Sequence, residues 1–224
     1  MSPRRLDPNN RIVLIDAAAR LLSESGPAAL SSRRLAAETG TSTMAIYTYF
    51  GSMSGLVRAI AREGFGRLEH LFDCVEPTDD PVADMALYGR VYRHNAVSSR
   101  YVFEVMFGGS SLAGFSLTEE DRQYGRYTLA PVIDCAVRCI AATRFRPDDA
   151  GLAAHQMWLG VHGMVTLELG GYLVEPYDAN RCFESQLVSL MVGAGDEPAS
   201  ASKSVAGSLE RFNGQFGRAD AGIS

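Results

Sequence analysis

The stretch Ser31 to Leu56, SSRRLAAETGTSTMAIYTYFGSMSGL, constrains this chain more than any other. It reads as two short helices joined by a tight turn at Glu38-Thr39-Gly40-Thr41-Ser42. Ser31 or Ser32 suits the N-cap, where a short hydroxyl accepts a hydrogen bond from a free first-turn N–H. Leu35 and Ala36 face inward, and Thr39 is small enough for close packing. Gly40 supplies the left-handed residue that ends the helix. Ser42 caps the second helix, whose inner face carries Ile46 and Phe50, four apart. Thr43, Met44, Tyr47, Thr48 and Tyr49 are left on or near the outer surface, able to reach base edges and phosphates. A supporting helix, a glycine turn and a second helix with an uncommitted outer face describe a helix-turn-helix.

The continuation IYTYFGSMSGLVRAIA sharpens this reading. An apolar residue, Tyr, two positions ending in an aromatic, Phe, a short break containing Ser and then Leu resemble the signature of the TetR family of transcriptional regulators, over residues 10–62. The resemblance implies an all-α fold, with a three-helix DNA-binding head and a larger helical body for effector binding and dimerisation. It also implies roles for single residues. The Ser31 hydroxyl touches phosphate, Arg33 reaches a groove edge, and Ser42, Thr43 and Met44 open the recognition helix in the major groove. Tyr47 packs on the sugar–phosphate backbone, Thr48 faces the groove, and Tyr49 stands where the family often has His. Met53 occupies the place of a common phosphate-binding Lys and cannot form that ion pair. One contact fewer weakens binding on every sequence and flattens its salt dependence by about one unit of slope. The N-terminus of the following helix can still attract a phosphate.

A net charge of −5 argues against DNA until its distribution is read. Residues 1–72 carry nine Arg against six acidic residues (+3), and the remainder carries twelve basic against twenty acidic residues (−8). A basic module on an acidic body fits a DNA-reading head. No apolar run is long enough to span a membrane, and the start MSPRRLDPNNR lacks the apolar region of a secretory signal. Cys74, Cys135, Cys139 and Cys182 form no Cys-x-x-Cys pair, so reduced thiols and a cytoplasmic protein are expected.

Taken in order, residues 1–10 read as a mobile arm. Its Arg4 and Arg5 either enter a minor groove or sit in a solvated tail. The first helix spans Arg11–Ser25 with an apolar stripe at Ile12, Ile15, Ala19 and Leu22. The DNA-binding domain is expected at 1–52, the body at 53–195 and a disordered tail at 196–224. Within the tail, Leu209, Phe212 and Phe216 have the spacing of a short docking helix. A long helix runs from Met53 to about Val75, with Leu56, Ile60, Leu68 and Leu71 inward. Its Gly64 and Gly66 mark either a bend or tight packing. Helices follow at Asp80–Asn95 and Ser99–Phe107, then a loop at 108–114. A helix from Thr118 to about Arg144 is expected to kink at Pro131. The last two helices run from Asp148 to Tyr172 and from Ala179 to Val192.

The Asp148–Tyr172 helix is apolar on most of its circumference and needs partners on several sides. With Phe183, Leu187, Leu190 and Met191 of the last helix it suggests a four-helix homodimer interface. Two heads about 34 Å apart would then read a palindromic operator in double-stranded DNA. Trp158-Leu-Gly-Val-His162-Gly163 is similar to the motif of one TetR C-terminal subgroup, the WHG domain. Phe103, Met106, Phe107, Tyr124 and Tyr127 are candidates to line a site for a small apolar effector, together with Met157, Trp158 and His162. Ordinary core packing is the competing reading for each. His155 with His162 and Cys135 with Cys139 raise the question of zinc, but helical Cys pairs are commonly small buried hydrophobes. No metal and no cofactor are expected. An enzyme is the first rival, and no activated nucleophile, phosphate loop or carboxylate pair supports it. A regulator whose body only dimerises or contacts another protein is the second.

Overall fold

The computed structural model describes residues 8–107 and 115–217. The described residues hold eleven α-helices and no strand: α1 (Pro8–Ser25), α2 (Ser32–Thr39), α3 (Thr43–Phe50), α4 (Met53–Asp73), α5 (Pro81–Ser98), α6 (Arg100–Met106), α7 (Glu119–Tyr127), α8 (Ala130–Ala141), α9 (Ala150–Leu169), α10 (Ala179–Ala194) and α11 (Pro198–Gln215). A 3-10 turn, Pro27–Ala29, joins α1 to α2. Arg4 and Arg5 of the expected arm, and the expected loop at 108–114, lie outside the described residues. Pro8, Asn9 and Asn10, assigned to the arm, form the start of α1.

The chain divides into two compact units, and the division differs from a cut at 52/53. The first holds residues up to Arg67 together with Ser99–Tyr127; the second holds Leu68–Ser98 and everything from Thr128 on. The first unit therefore carries α6 and α7 as well as the three-helix head.

In the first unit, the inner face of α1 is Leu14, Ile15, Ala18, Ala19, Leu21 and Leu22, all buried. Ile12, expected on that face, is exposed, because it lies roughly 100° round the helix from the centre of the stripe. Leu35 of α2, Ile46 of α3 and Leu56 and Ile60 of α4 complete the core at full burial. The choice left open for Gly64 resolves to close packing. A Cβ there would stand 2.4 Å from Met106 Sδ and 2.7 Å from Val102 Cγ1, so α6 lies directly on α4. Gly125 of α7 does the same against the Phe65 ring, where a Cβ would meet Cζ at 2.5 Å.

In the second unit α5 is the central element, with α8, α9, α10 and α11 packed against it. Its buried set runs round most of the helix and includes Asp84, Arg90 and Asn95 beside Val82, Leu87 and Val91. Asp84 and Arg90 are satisfied by residues of other elements, Asp84 by Arg138 and Arg211 among them. Arg90 donates from Nε to Ser208 Oγ at 2.8 Å, from Nη2 to the Val205 carbonyl at 3.0 Å, and to both carboxylate oxygens of Glu184.

The stretch from 196, expected to be disordered, is corrected by α11. Pro198–Gln215 is a regular helix with Glu197 as its N-cap, and it buries Ala201, Ser204, Val205 and Ser208. The single kinked helix expected over Thr118–Arg144 is two helices, broken at Thr128-Leu129. Pro131 falls in the first turn of α8, where its missing N–H removes no hydrogen bond. Leu71, expected inward on α4, is half-buried.

Candidate nucleic-acid interface

The turn between α2 and α3 is built as its residue types dictate. Ser31 Oγ accepts from the Arg34 N–H at 3.3 Å, and Ser42 Oγ from the Ala45 N–H at 3.1 Å. Each hydroxyl still has its own proton to donate outward, for example to a phosphate. Gly40 takes φ 65° and ψ 21°, and its N–H donates to the Ala36 carbonyl. Gly51, at φ 72°, ends α3 in the same way against the Tyr47 carbonyl. Ile46 is the fully buried residue of α3 and pins the helix to the core.

The opposite face of α3 is open. Met44 is 73% exposed and Tyr47 45% exposed; Thr48 is exposed and Thr43 half-buried. Thr48 donates its hydroxyl proton to the Met44 carbonyl at 2.8 Å. It therefore offers a methyl group and acceptor lone pairs, matching a thymine methyl or a base amino group. Tyr47 leans across to α2, its hydroxyl 3.4 Å from Ser32 Oγ. Arg33 is exposed beside Ser32. Tyr49 and Phe50 are half-buried, with ring centroids 5.9 Å apart, and Met53 is half-buried at the start of α4. Ser31, Arg33, Ser42, Met44, Tyr47 and Thr48 thus share the accessible side of the motif, while Phe50 and Tyr49 lean into its edge.

The residues proposed from sequence to line an effector site fall into two clusters, one in each unit. In the first unit Phe65 meets Phe107 edge-on at 5.6 Å and Tyr124 at 6.4 Å, and Phe103 lies 5.1 Å from Phe107. Phe103 and Met106 are buried, and Met106 lies against Gly64. This cluster is the seam that ties α6 and α7 to α4. Tyr127 stands apart from it, 65% exposed. Phe65, at its centre, was missed from sequence. Its signal was position: it lies between Gly64 and Gly66 on a helix otherwise read through its aliphatic residues.

The same seam carries an ion pair. Asp121 of α7 is buried, accepts from the Thr118 N–H and hydroxyl, and accepts from Arg62 Nε of α4 at 2.7 Å. Burial alone would raise its pKa; the Thr118 hydrogen bonds and Arg62 outweigh that and hold it below the usual carboxylate range.

In the second unit Trp158 Nε1 donates to the Tyr92 hydroxyl at 3.3 Å, and that hydroxyl lies 2.7 Å from His162 Nδ1. The direction of the Tyr92–His162 bond follows the imidazole tautomer, since the phenol can either donate to Nδ1 or accept from it. Burial lowers the His162 pKa and raises that of Tyr92, so both are neutral at pH 7. Met157, Val161, Met164 and Val165 face the core of the unit. Phe183, Leu187 and Met191, expected at a dimer interface, are corrected to core: each is about 1% exposed. The face α9 leaves outward carries Leu152, Leu159, Gly163 and Leu167, with His155, Gln156 and Thr166 exposed among them. Cys135 and Cys139 are buried on α8. Cys135 donates to the Pro81 carbonyl at 3.3 Å. The Cys139 thiol is pushed up by its hydrogen bond with Cys135 and by burial. Among the described residues no three His, Cys, Asp or Glu side chains converge as metal ligands.

A capped two-helix motif with an open recognition face, carried by an all-helical chain, defines a helix-turn-helix regulator. The model of bacterial regulatory proteins of the tetR family matches residues 14–60, and that of the tetracyclin repressor-like C-terminal domain matches residues 85–190. The chain belongs to the TetR family, with that family's DNA-binding and ligand-binding domains. No curated protein matches it significantly. Solved structures share the fold. A bacterial regulatory protein of the tetR family from Rhodococcus superposes with a TM-score of 0.68 at 18% identity, over 85% of this chain and 100% of that one. The TetR family transcriptional regulator PfmR from Thermus thermophilus gives 0.65 at 18%, over 82% and 99%. The transcriptional regulator FadR from Bacillus subtilis, in complex with stearoyl-CoA, gives 0.67 at 19%, over 81% and 98%.

Proposed function

We propose that this protein is a homodimeric transcriptional repressor that binds a palindromic operator and releases it when a small apolar effector occupies its body. The observation that carries the reading is the division of α3: Ile46 fully buried, Met44 and Tyr47 open. Such a helix is anchored on one face and presents on the other side chains that are not used in the core. Dimerisation is assigned to the outward residues Leu152, Leu159, Gly163 and Leu167 of α9 with the small residues Ser185, Ser189 and Gly193 exposed on α10. Exposed apolar residues along a long helix are the usual mark of a helix–helix contact.

An effector acts only through its preference for one conformation of the body. The glycine-tight seams of α4 with α6 and α7 are the means by which a shift in the latter two displaces α4, and with it the head. That FadR carries stearoyl-CoA supports an apolar ligand here, as does the aromatic and methionine content of α6 to α9. An enzyme is not proposed: the family and the structural relatives named above are regulators.

The experiment is selection of duplexes from fragmented genomic DNA by the purified full-length protein. The expected result is an enriched inverted repeat with half-sites about one helical turn apart, which apolar metabolites then displace. Absence of any enriched sequence at low salt would overturn the reading.

A further inference from the structure

The arginines of the first unit are almost all spoken for. Arg11 pairs with Glu63, Arg20 with Glu24 and Glu38, Arg34 with Glu38, and Arg67 with Asp16 and Glu63. Arg62 pairs with Asp121 and Glu120, Arg100 with Glu104, and Arg122 and Arg126 with Glu119. Among the described residues of the unit, Arg33 and Arg58 are the two with no ion pair. Arg33 already belongs to the recognition surface. Arg58 does not, and its position is informative.

Arg58 lies on the second turn of α4. Leu56, Val57, Ile60 and Ala61 fill the buried side of that turn, and Arg58, itself half-buried, follows the exposed Ser54 by four residues on the other side. A long helical side chain leans back over the turn N-terminal to its own Cα. That lean would carry the guanidinium over Ser54, roughly 6 Å along the axis, toward the end of α4 that follows the recognition helix through Gly51 and Ser52 alone. The first turn of α4 holds no acidic residue. Ser52 Oγ caps that end by accepting from the Gly55 N–H at 2.9 Å, so with no carboxylate there Arg58 and the helix N-terminus offer positive charge to the same external anion. Met53, at that end, brings no charge.

We infer that Arg58 is a DNA-phosphate contact: it binds the backbone beside the half-site read by α3 and supplies the positive charge that Met53 does not. The inference rests on the DNA-binding reading above. It assigns Arg58 to positioning and affinity and gives it no part in base selection.

The test uses the full-length protein, the duplex enriched in the selection and a scrambled duplex of equal length, with affinity measured over a series of salt concentrations. Arg58→Gln is expected to lower the slope of log affinity against log salt by about one. It should weaken both duplexes by the same factor, with an unchanged thermal midpoint. Arg58→Lys is expected to keep the wild-type slope, since a phosphate accepts either cation. A wild-type slope in Arg58→Gln overturns the inference, as does an equal loss in the Gln and Lys variants, which marks a packing role. If wild type binds neither duplex at low salt, the inference falls together with the reading beneath it. Unchanged binding by Arg58→Gln strikes this inference alone.

Discussion

Replacing Asp84 by Ala tests the account of the second unit most directly. The carboxylate is 1% exposed on α5. It accepts from the Thr78 N–H at 2.9 Å, the Thr78 hydroxyl at 2.7 Å, Arg138 Nη1 at 2.9 Å and Arg211 Nη1 at 2.5 Å. Two neutral donors contribute about 1 kcal/mol each. The two charged donors would contribute about 1.5–3 kcal/mol each if fully buried. The Arg138 and Arg211 side chains are 36% and 24% exposed, so water recovers part of that when the carboxylate goes. The expected loss is about 3–5 kcal/mol, the range for removing one partner of a buried pair. Urea unfolding of wild type and Asp84→Ala reads it as a lower midpoint at equal slope. The pH dependence follows from the same geometry. Burial would raise the Asp84 pKa, but the bonds from Thr78, Arg211 and Arg138 prevail and hold it below the ordinary value of 3.8. Its contribution is therefore complete above the unfolded pKa and disappears as pH falls through the lower folded value. Asp84→Asn should lack that acid limb. A loss below about 1 kcal/mol in Asp84→Ala would refute the claim that this carboxylate holds α11 and α8 to α5.

Three further outcomes are expected. Gly64→Ala gains about 1 kcal/mol of helix propensity. Its Cβ must displace Met106 and the stiff β-branched Val102, so a net destabilisation of about 1–3 kcal/mol should appear in thermal unfolding; a net gain would deny the tight seam. Ile46→Ala should cost about 2–5 kcal/mol, whereas Met44→Ala should change stability by less than about 0.5 kcal/mol yet alter the sequence recovered in duplex selection. Burial lowers the His162 pKa from 6.5, so protons bind the unfolded chain better. Stability should fall as pH drops below 6.5, by at most about 1.4 kcal/mol per pH unit, and His162→Gln should flatten that limb in pH-dependent urea titrations.

The head was legible in the sequence because its determinants are local. Ser31, Gly40 and Ser42 each act within four residues of themselves, and the helical period alone marks Ile46 as the inward residue of α3. The inward faces of α9 and α10 were not legible. A helix apolar all round has no period to read, and only the neighbours decide that Val161 and Phe183 turn in while Leu159 turns out. The α11 helix was hidden for a different reason. Its buried face is Ala201, Ser204, Val205 and Ser208, too small and too polar to register as a core stripe. What makes that face worth burying comes from far along the chain. Arg144 binds Asp196 and Ser204, Asp80 accepts from Ser204, and Arg90 reaches Ser208. For the effector candidates, composition identified the aromatics and the fold sorted them, setting Phe103 and Met106 in a packed seam and Trp158 and His162 in a hydrogen-bonded group.

The way α3 is closed off at both ends bears on how such a regulator changes its target. Gly40 and Gly51 lie at its two ends with positive φ, Ser42 caps its start, and a single side chain, Ile46, is wholly sunk in the scaffold. The helix behaves as an exchangeable cassette. Substitutions at Met44, Tyr47 or Thr48 leave both closures and the anchor untouched, so operator preference can drift under selection while folding stays constant. Grafting those three positions from another helix of the same eight-residue length should transfer specificity, and a library randomised there should remain folded.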